Sequence, residues 1–233
     1  KAGRIAAEGM AYATVVNGVG VVVEVNAETD FVGKNEKFVD FVKGVAATVA
    51  ANKPADLEAL MACKYNGTDL TVEQQQQEMV LVIGENIKVR RFAFFTDGIS
   101  VPYVHAGGKI GVLVNLETGL TAEQVETVGK DVAMQIAAAS PLAVSAEGLN
   151  PEVVEHEREV YRQKAREEGK PEQIIEKIAE GAVKKFCKDV CLLDQLYIRD
   201  DKMTISDLIK GASKAIGEPI TVVRFVRIQL GAE

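Results

Sequence analysis

Apolar residues alternate with polar ones in some stretches and recur at helical spacing in others, which predicts a mixture of short strands and helices. The first strands are predicted over residues 11–16 and 19–26, because both stretches are rich in β-branched residues. Asn17-Gly18 between them suits a type I′ turn, so the two strands are predicted to form a β-hairpin. The preceding residues, 3–10, are predicted to be the end of a helix or a linker.

Three helices and a third strand are predicted after this hairpin. Asn35 is positioned to cap the first helix, and Lys53-Pro54 ends it because proline cannot continue a helix. Thr71 and Gln74 form a capping-box pattern at the start of the third helix, which Gly84 ends. The predicted positions are 36–52, 56–62 and 71–84 for the helices and 87–95 for the strand.

The same order of elements recurs in the second half of the chain. The recurring elements are a hairpin at 99–106 and 109–116 across Gly107-Gly108, a helix from Thr121 to Ser140-Pro141, a helix from Thr204 to Gly217, and a strand at 220–230. Short segments also match, since 84–89 (GENIKV) resembles 217–222 (GEPITV). We therefore predict an α+β fold with two similar subdomains, 1–98 and 99–233, each a small antiparallel sheet covered by helices.

An insertion in the second half predicts a helical hairpin over about residues 151–190. Asn150-Pro151 is typical of a helix start, and Gly169-Lys170-Pro171 separates two helices of similar length. The first of them is mostly charged and has a thin apolar stripe, which favours an antiparallel, coiled-coil-like arm. An ordinary packed helix pair is the alternative interpretation.

Composition limits the classes of function. The 233 residues carry a net charge of −7, with 27 Lys and Arg against 34 Asp and Glu and no long basic run, which argues against direct nucleic-acid binding. No apolar run reaches the roughly 18 residues of a membrane span, so no membrane association is expected. Three cysteines without a secretion signal indicate reduced cytosolic thiols, and we expect no metal site or cofactor.

No constellation of catalytic residues is present in the sequence. It contains no Walker-type phosphate loop, no GxGxxG after a strand and no GxSxG, so we expect no catalytic residues and no enzymatic activity. Taken alone, Asp30 fits a capping or turn role and Phe31 fits a place in the core. His105 fits a hairpin tip and Ile83-Gly84 a helix end.

Several segments together resemble a known family. Residues 24–35 (EVNAETDFVGKN) are similar to EVNCETDFVAKN, the signature of bacterial-type elongation factor Ts, with Ala27 and Gly33 as the departures. Further segments match in family order over nearly the whole chain: 83–87 (IGENI), 90–91 (RR), 103–105 (YVH), 109–114 (KIGVLV), 169–171 (GKP) and 184–186 (KKF). Residues 1–4 (KAGR) resemble the end of the small helical, ubiquitin-associated-like domain that begins the family, so this chain resembles the core without that domain.

The resemblance implies a guanine-nucleotide exchange factor for elongation factor Tu, acting in the cytoplasm during translation elongation. Asp30 and Phe31 match the pair that disturbs the magnesium and phosphate site of that GTPase. Ile83, Gly84 and His105 match further contact positions. Ile198 matches a contact with another domain of the GTPase, although Leu196 replaces the proline usual near it.

The resemblance is also compatible with a homodimer within a heterotetramer. The alternative hypothesis is a non-catalytic protein-binding or assembly module that uses the helical arm.

Overall fold

The fold is an α+β arrangement of short antiparallel sheets and helices, as predicted, in a computed structural model that describes residues 6–233. The strands are β1 (Glu8–Val16), β2 (Val19–Ala27), β3 (Lys88–Phe95), β4 (Ile99–His105), β5 (Ile110–Thr118), β6 (Leu196–Tyr197), β7 (Asp200–Thr204) and β8 (Ile220–Gln229). The helices are α1 (Glu36–Asn52), α2 (Leu57–Ala62), α3 (Val72–Ile83), α4 (Ala122–Ala139), α5 (Pro151–Glu167), α6 (Glu172–Val190) and α7 (Ile205–Ile216).

The chain forms two compact units. One contains the residues up to Ala137 together with Glu218–Glu233, and the other contains Ala138–Gly217. Two three-stranded antiparallel sheets, ordered β1-β2-β3 and β4-β5-β8, belong to the first unit. The division of the chain by internal repeat into 1–98 and 99–233 stays a prediction.

The first hairpin has the predicted turn but begins earlier than predicted. Asn17 and Gly18 have φ values of 50° and 80°, as a type I′ turn requires. β1 begins at Glu8, which pairs with Ala27, so the prediction of a helix end or linker is wrong for residues 8–10. Pairing with the end of β2 decides the structure there, whereas residues 3–5 of that prediction lie outside the described part.

The central strand β2 is buried along its whole length. Val21, Val23 and Val25 face a core made with α1, whose Phe38 and Phe41 are also buried. The other face of β2 packs against the second sheet. That smaller cluster consists of Ala11, Ala13, Val22, Leu113 and Ile228. Because both faces are covered, β2 is a nearly continuous apolar run.

The two sheets share local features at equivalent positions. Each central strand has a register shift in its pairing with the third strand, after Glu24 in β2 and after Asn115 in β5. The helices before those third strands, α3 and α7, both start with a capping box and end at a left-handed glycine. The connections to the next helix differ in length, because residues 28–35 join β2 to α1 whereas residues 119–121 join β5 to α4.

A buried carboxylate connects the first sheet to the C-terminal residues. Glu24 is fully buried, and its Oε1 lies 2.6 Å from Nε of Arg91 and 3.3 Å from Nη1 of Arg90. Its Oε2 accepts hydrogen bonds from the Gly231 amide at 2.8 Å and from Asn26 at 2.9 Å. Burial raises the pKa of Glu24, but the hydrogen bonds from Gly231, Asn26 and Arg91 outweigh it, so the pKa lies below its ordinary value.

The second unit contains the predicted helical pair. Ala165 of α5 and Ile175, Ala179 and Val183 of α6 are buried, which makes a thin apolar seam. Outside the seam, arginines on α5 pair with glutamates on α6 in antiparallel order. The pairs are Arg158–Glu180 at 2.7 Å, Arg162–Glu176 at 2.8 Å and Arg166–Glu172 at 3.3 Å. The short strands β6 and β7 of this unit were not predicted.

Replacing Glu24 by glutamine should lower stability in a pH-dependent way. Because the folded-state pKa is depressed, the carboxylate stabilises the fold well above its ordinary pKa of 4.5, and this contribution is lost as pH falls through the folded-state pKa. We expect Glu24→Gln to cost about 2 kcal/mol at pH 7, less than a fully buried pair, because both guanidinium groups are about one-third exposed.

Urea unfolding at pH 7 and at stepwise lower pH measures this effect, with the exposed Glu117→Gln as control. The difference between wild type and Glu24→Gln should shrink as pH falls. A difference that stays constant with pH would mean that the charge of Glu24 does not stabilise the fold.

Candidate partner-binding site

The corner between β2 and α1 exposes its aromatic residue. Phe31 is 83% exposed, so its alternative assignment to the core is wrong. The next residue, Val32, is buried in the core and begins a 3-10 turn, Val32–Lys34. Because Val32 fills the interior position, Phe31 faces solvent, with the exposed Asp30 before it. Asn35 then caps α1 by accepting a hydrogen bond from the Phe38 amide at 3.2 Å, as predicted.

Two glutamates hold this corner to the end of α3. Glu85 accepts hydrogen bonds from the amides of Glu28 at 3.1 Å and Thr29 at 3.0 Å, and from the Thr29 hydroxyl at 2.7 Å. In return, Glu28 accepts a hydrogen bond from the Asn86 amide at 2.7 Å. These reciprocal bonds, which we call the corner latch, fix the backbone two residues before Phe31. Hydrogen bonds from backbone amides to an ionised carboxylate are stronger than those to a neutral acceptor.

The end of α3 presents more apolar surface than the sequence analysis identified. Gly84 ends the helix in the left-handed conformation with φ of 82°, and Ile83 is half-buried against the core. The missed residues are Leu81 and Val82, which are 77% and 56% exposed. The signal was the run of apolar residues from Met79 to Ile83, which cannot all lie on one face of a helix that turns roughly 100° per residue.

His105 ends the edge strand β4, beside the tip of the second hairpin. It is half-buried, and its Nδ1 lies 2.8 Å from the hydroxyl of Tyr103. The tip contacts the start of β1, because the Ala11 amide donates a hydrogen bond to the Gly108 carbonyl at 2.8 Å.

The corner contacts the same segment of β1. A Cβ on Gly33 would lie 2.8 Å from the carbonyl oxygen of Gly9. The start of β1 therefore lies between the corner and the hairpin tip. Contacts through the start of β1 and through the latch thus connect the segments that carry Asp30, Phe31, Ile83, Gly84 and His105.

Ile198 belongs to the second unit. It lies in the connection between β6 and β7 and is 50% exposed, while its neighbour Tyr197 is buried. Leu196, at the position of the family's usual proline, is part of β6 and pairs with Thr204. Ile198 is therefore presented by a short hairpin that local sequence patterns did not reveal.

The cysteines have no geometry for metal binding. Among residues 6–233, no group of three or more His, Cys, Asp or Glu side chains is arranged to hold a metal ion. Burial raises the pKa of the Cys191 thiol to about 11, with the nearby Cys187 adding to the shift, so this thiol is protonated at neutral pH. None of the helices in the described chain combines the length and low charge of a membrane-spanning helix.

Comparison with known proteins identifies the family. The family model described as Elongation factor TS matches residues 28–232, which include the corner, the latch and the helical pair. The chain belongs to the elongation factor Ts family. Among its relatives are proteins named Elongation factor Ts from Trichlorobacter lovleyi (50% identical over 99% of this chain and 77% of that protein), Syntrophotalea carbinolica (48%, over 99% and 77%) and Lawsonia intracellularis (48%, over 100% and 83%).

The packing of this chain explains its two departures from the family signature. Ala27, at the position of the family cysteine, is fully buried, so a small apolar residue suits the site. Gly33, at the position of the family alanine, lies close to the backbone of β1. The Cβ of an alanine there would lie 2.8 Å from the Gly9 carbonyl oxygen, closer than Cβ atoms normally approach, so the backbone of the corner or of β1 would have to move.

Removing the corner latch should loosen the corner without unfolding the protein. In Glu85→Ala, the amides of Glu28 and Thr29 lose their acceptor, so their hydrogen exchange should accelerate at least about tenfold while core amides of β2 stay protected. Hydrogen exchange followed by NMR measures this, with Glu78→Ala on the exposed side of α3 as control. Unchanged exchange at both amides would show that other contacts hold the corner.

Proposed function

We propose that this chain is a guanine-nucleotide exchange factor for elongation factor Tu, and that Asp30 and Phe31 promote GDP release. Membership of the elongation factor Ts family supports the choice of partner. The observation that carries the proposal is the exposure of Phe31 at a corner fixed by hydrogen bonds. An exposed ring on an ordered backbone loses little conformational freedom when a partner receives it.

In the proposed mechanism, the factor and the nucleotide each lower the affinity of the GTPase for the other. Phe31 enters an apolar pocket of the GTPase, and Asp30 accompanies it towards the site that holds magnesium and the phosphates. The groups that bind the metal and diphosphate shift, so GDP loses affinity. By linkage, nucleotide weakens binding of the factor by the same ratio that the factor weakens binding of nucleotide. Incoming nucleotide can therefore break the complex and complete the exchange.

This mechanism involves no covalent step in the factor. We propose that the chain is not itself an enzyme and that it acts without a cofactor of its own, since the work is done by differences in binding free energy. His105 and Ile83-Gly84 supply further contacts beside Phe31, and Ile198 contacts another domain of the GTPase. We further propose that two factor chains form a homodimer within a heterotetramer, and that the protein acts in the cytoplasm.

Release of a fluorescent GDP from elongation factor Tu tests the proposal directly. The observed release rate should rise with the concentration of this protein and then saturate, because a ternary complex forms before GDP leaves. A rate that stays flat while a pull-down still detects binding would favour the alternative, an assembly module that uses the α5–α6 hairpin. A flat rate without binding would reject the exchange-factor proposal.

Phe31→Ala should separate exchange from stability. We expect GDP release to slow at least about tenfold, as for loss of a central aromatic anchor. The melting temperature should change by no more than about 1–2 °C, because the ring is exposed in the free protein. Val15→Ala, an exposed valine towards the other end of β1, is the control and should leave release unchanged. A large fall in melting temperature for Phe31→Ala would contradict the proposed role.

A further inference from the structure

We infer that the GTPase-binding surface extends from the corner onto the last turn of α3, where Leu81 and Val82 contact an apolar surface of the same partner. This inference rests on the proposed function and adds two residues that the family signature does not include. In the complex these residues provide affinity, whereas the Asp30–Phe31 pair provides the displacement of nucleotide.

The helix itself leaves these two side chains outside. Met79 is buried and Val80 and Ile83 are partly buried against the core, so one face of the last turn is used by the fold. Leu81 and Val82 lie on the remaining arc, because successive residues are rotated by roughly 100°. Two adjacent aliphatic residues at 77% and 56% exposure contribute little to stability by being apolar there.

The rest of α3 shows that this is a local feature. The preceding turns place polar residues outside, from Glu73 through the glutamines to Glu78. The apolar character of the exposed face begins only at Leu81, one turn before the corner latch. Within residues 6–233, both side chains remain open to solvent.

The patch is continuous with the corner. Val82 and Ile83 line one side of an open groove whose other side is the start of α1, residues 35–37. That segment follows Phe31 directly, and the latch between Glu85 and Thr29 joins the same two elements a few residues away. Phe31, Leu81 and Val82 therefore lie on two segments that hydrogen bonds join directly.

The surroundings of the patch match those of a protein interface. Polar groups border the apolar residues on the side of α1: Asn35, Glu36 and Lys37. Apolar anchors inside a polar rim are typical of surfaces that bind a folded protein partner. Because the patch adjoins Phe31, the occupant we assign is the apolar surface of the GTPase next to the pocket that receives the ring.

The double substitution Leu81→Ser/Val82→Ser tests this assignment. Titration calorimetry with nucleotide-free elongation factor Tu should show at least a tenfold weaker binding. GDP release should need at least tenfold more factor to reach half its maximal rate, while the maximal rate stays within about twofold of wild type. A contact that contributes only to affinity changes the factor concentration needed for half-maximal release and leaves the maximal rate unchanged.

Leu142→Ser is the matched control, since Leu142 is a 57% exposed leucine in the other unit. It should bind and exchange as wild type, and all variants should keep the wild-type circular dichroism and melting temperature. Wild-type affinity for the double variant, with wild-type protein active in exchange, overturns the inference and leaves the proposed function standing. Inactive wild-type protein overturns the proposed function itself.

Light scattering of the free protein tests whether the patch binds a second copy of the chain instead of the GTPase. If the double substitution dissociates a homodimer but leaves affinity for the GTPase unchanged, the patch is a self-association surface and the inference is wrong. An unchanged oligomeric state together with weakened GTPase binding supports it.

Discussion

The hydrogen bonds between Glu85 and the backbone of residues 28 and 29 are the interaction on which the candidate site depends. A surface phenylalanine on a mobile loop would lose conformational entropy when bound, and would also be free to collapse onto the nearest apolar surface. A carboxylate that accepts three hydrogen bonds from the corner limits both outcomes before any partner arrives. The same bonds place the end of α3 beside the ring, so the strand end and the helix end act as one surface.

The corner also depends on the strand that precedes it. β2 is covered on one side by α1 and on the other by the second sheet, which leaves little freedom at its end. Glu24 adds a connection of a different kind, because its carboxylate binds Arg90 and Arg91 of β3 and the amide of Gly231. Arg91 in turn donates to the carbonyls of Gln229 and Ala232, so the first sheet and the last residues of the chain are fixed together.

Local patterns in the sequence predicted most helices and strands because their signals are local. The turn at Asn17-Gly18, the capping box at Thr71 and the left-handed glycine at residue 84 are set by residues a few positions apart. The start of β1 was missed because its pairing with the end of β2 creates it. The pair β6–β7 was missed because it is a very short hairpin with a register shift, which leaves no alternating pattern in the sequence. At the site, the exposure of Phe31 could not be read from local pattern, since it follows from which neighbour fills the core. Leu81 and Val82 could have been found from the length of the apolar run that contains them.

The two sheets are similar at their register shifts and helix caps, yet the links from strand to helix differ in length. The short link at residues 119–121 shows that this architecture closes without the extra segment that carries Asp30 and Phe31. The exposed side chains of Asp30 and Phe31 therefore lie on a segment where the packing of the core places no requirement on them.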